Sequence, residues 1–311
     1  VKNRLHIIFL FVDGVGLGAD DPNENPLVAA HLPALCALTG GPPTLRHRRF
    51  VSDDGGMISL DATMGVPGLP QSGTGQAALL GGFNAPRKAK QHFGPFPPTA
   101  VRASVERHNI FRRVLEAGLK PCFVTAFPQR FFDYMNQHKR PLSMTTMSCQ
   151  FAGMPLRQEA ELREGEGLSA DLTSEGWREM GYADMPILTL EESGRRLAEL
   201  GAKHDFTLFE YWKTDFAGHA RNIAESIAVL ERFDGMLHGL IGAVDKQRAL
   251  IVLSSDHGNI ENLTVKTHTR NPVPLVAYGA RAPQFLADVA ARSRPTLAHV
   301  VPAMMKLLTA E

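Results

Sequence analysis

The sequence predicts an α/β fold, a mostly parallel sheet with helices on both faces. Short apolar runs at 5–12, 121–127, 206–212, 249–252 and 275–278 are too brief for helices and alternate with stretches of helical periodicity. Several of these runs lead into Asp, His or Gly, and open α/β sheets place their ligands beyond the carboxyl ends of their strands.

Taken in order, the first strand (5–12) delivers Asp13 into the turn Gly14-Val15-Gly16-Leu17-Gly18. A dinucleotide fingerprint fails there because position 19 is Ala, and no G-x-x-x-x-G-K-[ST] occurs. Residues 20–70, rich in Gly, Pro and Asp, predict loops, one short helix around 28–38 and a hairpin. Gln71-Ser72-Gly73-Thr74-Gly75-Gln76 precedes Ala77-Ala78-Leu79-Leu80, a helix start that sets a hydroxyl among free backbone N–H groups. Pro70 occupies the first Gly position of G-x-S-x-G, which excludes a hydrolase elbow.

An amphipathic helix is expected over 103–118 and a strand over 121–127. Between 131 and 187 apolar periodicity fades, which marks an insert or cap between two parts of a core at 1–130 and 188–311. Asp171, Arg130, Lys139, Arg140 and Arg157 are its charges that could meet a substrate. A helix over 191–200, stopping at Gly201, leads to the strand 206–212 and then to Lys213-Thr214-Asp215-Phe216-Ala217-Gly218-His219. Asp215 and His219, four apart, face one way if that segment is helical. A long helix (223–244) has Ile223, Ile227, Leu230, Phe233, Leu237 and Leu240 on its apolar stripe. The strand at 249–252 then runs into Asp256-His257-Gly258-Asn259, His268 precedes the strand 275–278, and a helix over 296–308 closes the pattern.

Bulk properties narrow the function. The 311 residues are 44% hydrophobic and 21% charged, with 33 Lys and Arg against 32 Asp and Glu, so the near-neutral charge predicts no nucleic-acid partner. The opening run is too short to span a bilayer, and no membrane association is expected. Cys36, Cys122 and Cys149 are odd in number and far apart, which fits a reducing, cytoplasmic setting.

Asp13, Asp215, Asp256, His219, His257, His268 and Ser72 thus all lie near strand ends or helix starts. Mixed Asp and His donors suit Zn²⁺ or Mn²⁺ better than Ca²⁺, and seven donors exceed one tetrahedral ion, so two divalent metal ions are expected.

These residues resemble the alkaline phosphatase superfamily, and most closely its metalloenzyme branch, which contains cofactor-independent phosphoglycerate mutase and phosphopentomutase. The matching motifs are Phe11-Val12-Asp13-Gly14, Gln71-Ser72-Gly73-Thr74-Gly75-Gln76, Asp215-Phe216-Ala217-Gly218-His219, Asp256-His257-Gly258-Asn259 and His268-Thr269. They fall in the family's order; Gln76 stands where those mutases carry His, and Gln71 where they carry Asp or Asn. The resemblance implies an alkaline-phosphatase-like core with one metal on Asp215, His219 and His268, the other on Asp13, Asp256 and His257, and Ser72 bridging both as nucleophile. It further implies phosphoryl transfer from a small phosphorylated substrate through a phosphoserine. With only about 55 residues for a cap, hydrolysis is the preferred outcome and a phosphomutase the alternative. A non-catalytic metal-binding protein is the reading from another class, and it would not need a hydroxyl at position 72.

Overall fold

A computed structural model describes residues 4–137 and 142–310. The apolar runs form β1 (His6–Val12), β2 (Phe50–Ser52), β3 (Gly55–Leu60), β4 (Pro121–Phe123), β5 (Phe206–Tyr211), β6 (Ala249–Ser254) and β7 (Val273–Gly279). Around them lie α1 (Pro26–Ala29), α2 (Pro33–Thr39), α3 (Ser72–Gly81), α4 (Ala85–Ala89), α5 (Thr99–His108), α6 (Ile110–Glu116), α7 (Gln129–Asn136), α8 (Met144–Phe151), α9 (Glu159–Arg163), α10 (Glu175–Glu179), α11 (Leu190–Ala202), α12 (Lys213–Ala220), α13 (Ile223–Ala243), α14 (Ala282–Ala290) and α15 (Val300–Leu308). Among the described residues the strands make one sheet in the order β2-β3-β7-β6-β1-β5-β4.

β1 lies at the heart of this sheet, parallel to both β5 and β6, and β4 continues the parallel side. β7 runs antiparallel to β6 and to β3, and the hairpin β2-β3 forms the edge. The sheet is therefore mixed, with most strands pointing one way. Alternation along β1 shows why both faces need cover: Ile7, Phe9 and Phe11 enter one buried cluster, while Ile8, Leu10 and Val12 enter another on the opposite face.

Several predicted elements divide or shift. Pro33 lacks an N–H and begins a new helix, so the expected 28–38 helix becomes α1 and α2. Buried Asp234 of α13 accepts the Ala34 and Leu35 N–H groups at 3.0 and 2.7 Å, satisfying the start of α2. The 103–118 helix breaks at Asn109, whose extended backbone ends α5 and whose side chain accepts the Arg112 N–H at 3.0 Å to start α6. β4 stops at Phe123, beyond which Thr125 and Ala126 make isolated bridges to Leu168 and Arg157. Gly201 lies inside α11 and does not end it, and Ile223 is exposed, so the buried stripe of α13 begins later, at Ser226 and Leu230.

The 131–187 stretch does not pack as one piece. Met144, Met147 and Cys149 of α8 belong to the main core, whereas Leu162, Trp177 and Met185 form a small cluster of their own with Ala126. Arg157 and Asp171 are occupied structurally: Arg157 Nη1 donates to the Phe123 carbonyl at 2.9 Å, and Asp171 accepts the Ser174 and Gly176 N–H groups at 2.9 and 2.6 Å. Lys139 and Arg140 lie outside the described residues.

α11 and α13 cross closely because glycine permits it: a Cβ on Gly194 would stand 2.1 Å from the Met236 carbonyl oxygen, whereas one on Gly242 would meet nothing within 4 Å. Gly194→Ala is expected to lower stability by about 1–3 kcal/mol through overpacking, and Gly242→Ala to raise it by up to about 1 kcal/mol through helix propensity. Urea unfolding of the two variants checks both signs.

Candidate metal centre

Three strand ends and one helix start converge. Asp13 directly follows β1, with its N–H bonded to the Tyr211 carbonyl of β5 at 3.0 Å. Gly14 turns the chain at φ +69°, and a Cβ there would stand 2.6 Å from Asp215 Oδ1, so no other residue lets the two strand ends approach this closely. β5 leads into α12, whose helical curvature puts Asp215 and His219 on one face as expected. β6 ends at Ser254, and the turn that follows brings both Asp256 and His257 inward. Ser255 fastens this turn: its Oγ accepts the Val15 N–H at 2.9 Å and donates to the His257 carbonyl at 3.1 Å.

Ser72 is the first residue of α3, and Gln71 occupies the cap position. The two glycines of Ser72-Gly73-Thr74-Gly75 are contact surfaces. A Cβ on Gly73 would lie 2.2 Å from the Phe96 carbonyl oxygen and one on Gly75 2.7 Å from that of Asp256, so this helix start is pressed against the end of β6. Thr74, the other hydroxyl, is fully buried and accepts the Phe93 N–H at 3.1 Å, which leaves it a structural part.

All seven sequence-identified residues meet here. Asp215, His219 and His268 form one group and Asp13, Asp256 and His257 another, with the donor atoms of each group within 4.8 Å of one another. His219 Nε2 lies 3.4 Å and His268 Nε2 3.7 Å from Asp215 oxygens; His257 Nε2 lies 3.4 Å from Asp13 Oδ1 and 3.5 Å from Asp256 Oδ2. Donors about 2.0–2.2 Å from a tetrahedral ion stand about 3.3–3.6 Å apart, so both groups have the spacing of ligand sets. Ser72 Oγ is 3.0 Å from His257 Nε2, and the His257 and His268 rings stack at 3.8 Å, joining the two groups.

The polar inventory fits cations. Asp13 Oδ1 and Asp256 Oδ2 are buried and meet no donor. His268 Nδ1 donates to the Pro70 carbonyl at 3.0 Å, which leaves Nε2 as a lone pair 3.2 Å from His219 Nε2. Two imidazole nitrogens face one another with a carboxylate beside them, an arrangement that a shared cation stabilises. Burial, then the charges of Asp256 and Asp215, hold the Asp13 carboxyl well above its usual range; burial raises Asp256 to about 6 and lowers His257 to about 3.

Several further parts escaped sequence reasoning. Gln76 Nε2 donates to Asp13 Oδ2 at 3.2 Å, and Asn259 Nδ2 donates to Asp215 Oδ1 at 2.6 Å, orienting one carboxylate in each group. Glu261 accepts the Gly16 and Asn259 N–H groups at 2.9 and 2.7 Å and the Thr269 hydroxyl, tying the turns after β1 and β6 to the segment carrying His268. Glu210, buried within β5, accepts the Thr145 hydroxyl at 2.6 Å and is raised to about 7 by burial. Glu210 sits in an apolar strand with no motif around it. Gln76, Asn259 and Glu261 lie within or beside the motifs, but their partners are distant in sequence.

Comparison with known proteins agrees with this geometry. The sequence model of the Metalloenzyme superfamily matches residues 188–311. A 2,3-bisphosphoglycerate-independent phosphoglycerate mutase of Mycoplasmopsis synoviae is 31% identical over 101 residues, 30% of this chain and 20% of the relative. A phosphopentomutase of Hahella chejuensis is 30% identical over 127 residues, 40% of this chain and 29% of the relative. The aligned part thus spans less than a third of either mutase. In three dimensions, the PH0037 protein from Pyrococcus horikoshii superposes with a TM-score of 0.59 at 16% identity, over 100% of this chain and 98% of that one. The alkaline phosphatase of the Antarctic bacterium TAB5 gives 0.57 at 12% identity over 100% of both chains, a likeness of fold. Motif order, the matched residues 188–311 and the shared fold agree: over that part the chain is similar to the Metalloenzyme superfamily, and its fold is that of the alkaline phosphatases.

Proposed function

We propose that this protein is a two-metal phosphoryl-transfer enzyme that hydrolyses a small phosphate ester through a phosphoserine on Ser72. The observation that carries the proposal is the position of the Ser72 hydroxyl, on a helix start and 3.0 Å from His257, where the two carboxylate–imidazole groups adjoin. Asp215, His219 and His268 would hold one divalent ion and Asp13, Asp256 and His257 the other, with Mn²⁺ and Zn²⁺ both compatible with these donors. When bound, such ions supply Lewis acidity toward phosphoryl oxygens and stabilise an alkoxide.

The chain's own residues do the rest. The start of α3 fixes Ser72 Oγ for in-line attack on phosphorus, at the positive end of the helix dipole. Oγ gains the phosphoryl group as the ester's leaving oxygen departs, and attack by water then returns inorganic phosphate and the free hydroxyl. Gln76 and Asn259 keep Asp13 and Asp215 turned toward the centre throughout.

Hydrolysis follows if water reaches the phosphoserine. Since α8 is part of the core, the cap we propose narrows from 131–187 to roughly the segments around α9 and α10, which supports an accessible intermediate. The alternative is a phosphomutase, in which a second hydroxyl of a retained substrate takes the group, and the two mutase relatives favour it. A metal-binding protein without activity is disfavoured because it has no use for the Ser72 hydroxyl. Three unpaired cysteines support a cytoplasmic setting, and among the described residues no helix is long and apolar enough to cross a membrane.

Phosphorus NMR of the Mn²⁺- or Zn²⁺-loaded protein with phosphoglycerates, pentose phosphates and simple esters should show inorganic phosphate appearing, with Ser72→Ala slower by at least about a thousandfold. An isomeric ester without free phosphate would make the protein a mutase. Asp215→Asn is expected to remove about one metal per chain by elemental analysis while leaving the second, and loss of both or neither would contradict two separate ligand sets.

The buried acid beside the centre gives a pH test. Glu210 is raised from 4.5 to about 7, so its stabilising contribution is full below about pH 4.5 and is lost as pH rises through about 7. Metal-free Glu210→Gln should therefore exceed metal-free wild type in stability at pH 8 by up to about 3 kcal/mol, a margin that closes toward pH 4.5. A pH-independent margin would remove Glu210 as the source.

A further inference from the structure

The sheet's other end carries a second concentration of charge. Where β1, β4, β5 and β6 begin, a cavity of about 300 Å³ is lined by Arg4, His6, Lys120, Lys203, Asp205 and Arg248, with Leu5 and Ala202 giving it apolar wall. It lies roughly 20 Å from Asp13, the length of β1 at about 3.3 Å per residue. Nothing in the reaction above uses it.

Four long cationic side chains converge on this hollow against one carboxylate, and that carboxylate is largely occupied. Asp205 Oδ2 accepts the Lys120 backbone N–H at 2.8 Å, and its Oδ1 faces Arg4 Nη1 only at 3.8 Å. Glu166 takes Lys203 at 2.6 Å from the rim. Among the described residues, the Lys120 ammonium and the Arg248 guanidinium make no ion pair, and the buried Nε atoms of Arg4 and Arg248 meet no acceptor. Burial and the nearby Arg248 charge hold His6 below its ordinary value, so the positive charge resides on the four long side chains. Dispersed surface cations are simply solvated; cations gathered around a concave space repel one another until an anion is shared among them.

We propose that this cavity is a second ligand site, for a small phosphate ester bound as its dianion. Guanidinium groups match phosphate oxygens in a planar fork, and Lys120 adds a point charge. The volume is at the lower end for small-molecule pockets, which fits a phosphate on a short carbon skeleton lying against Leu5 and Ala202.

The test is calorimetric titration of the full chain carrying Ser72→Ala, which consumes no ester, with glycerol 3-phosphate and with inorganic phosphate. One arm is Mn²⁺-loaded and the other chelator-treated. The chelated protein is expected to keep one site for glycerol 3-phosphate. Lys120→Ser and Arg248→Gln should each weaken that site by about tenfold, without changing the Mn²⁺-dependent one. Lys120 is exposed, so its variant tests the site even if Arg248→Gln fails to fold. The proposal is overturned if neither probe binds the chelated protein, or if both variants bind as the parent does. Inorganic phosphate binding as tightly as the ester would overturn the ester assignment and leave a free-phosphate site. Because the readout is binding without metal or turnover, its failure is separate from any failure of the catalytic reading.

Discussion

Repulsion among buried carboxylates is the constraint on which this structure depends. Asp13, Asp256 and Glu210 stand at or near the ends of adjacent buried strands, with Asp215 close by, and burial raises the first three well above ordinary carboxyl values. A protein core tolerates such a group only with protons or cations among its members. The His257 imidazole cannot supply the charge, since burial lowers it to about 3. The fold thus builds a demand for positive charge into the buried ends of its central strands, and the two donor sets give that demand a shape.

Much of the surrounding polar network follows from the same demand. Glu261, itself buried, spends its oxygens on backbone N–H groups and the Thr269 hydroxyl, binding three chain segments that would otherwise be pushed apart. Gln76 and Asn259 each take one carboxylate oxygen and leave the other turned inward. The glycines at 73 and 75 let a helix start reach this crowded place at all.

The strands and the convergence of the seven candidate residues were legible in the sequence because each rests on local information. An apolar run reports a buried strand, and an Asp, His or Ser just beyond it falls at the sheet's ligand-binding end. What was illegible depends on contacts between distant segments. Glu210 looks like one more position in a buried strand until Thr145, from a stretch expected to belong to the insert, is found bonded to it. The insert itself was drawn by fading periodicity, a signal that cannot tell α8, short but packed into the core, from segments with a cluster of their own. The helix break at Asn109 was missed for a related reason: apolar spacing continues through it, and only the cap bond marks the division.

The strand order carries a consequence for how the chain is made. β1 is synthesised first, yet both its neighbours, β5 and β6, come from the second half of the sequence. Until about residue 254 has emerged from the ribosome, β1 offers at least one bare edge and an apolar face awaiting its cover. His268 arrives later still, so the two donor groups are complete only after every strand but β7 has been made. The candidate centre therefore closes on a sheet whose middle strands are already made, and the bare edge of β1 stays exposed for nearly the whole interval before it.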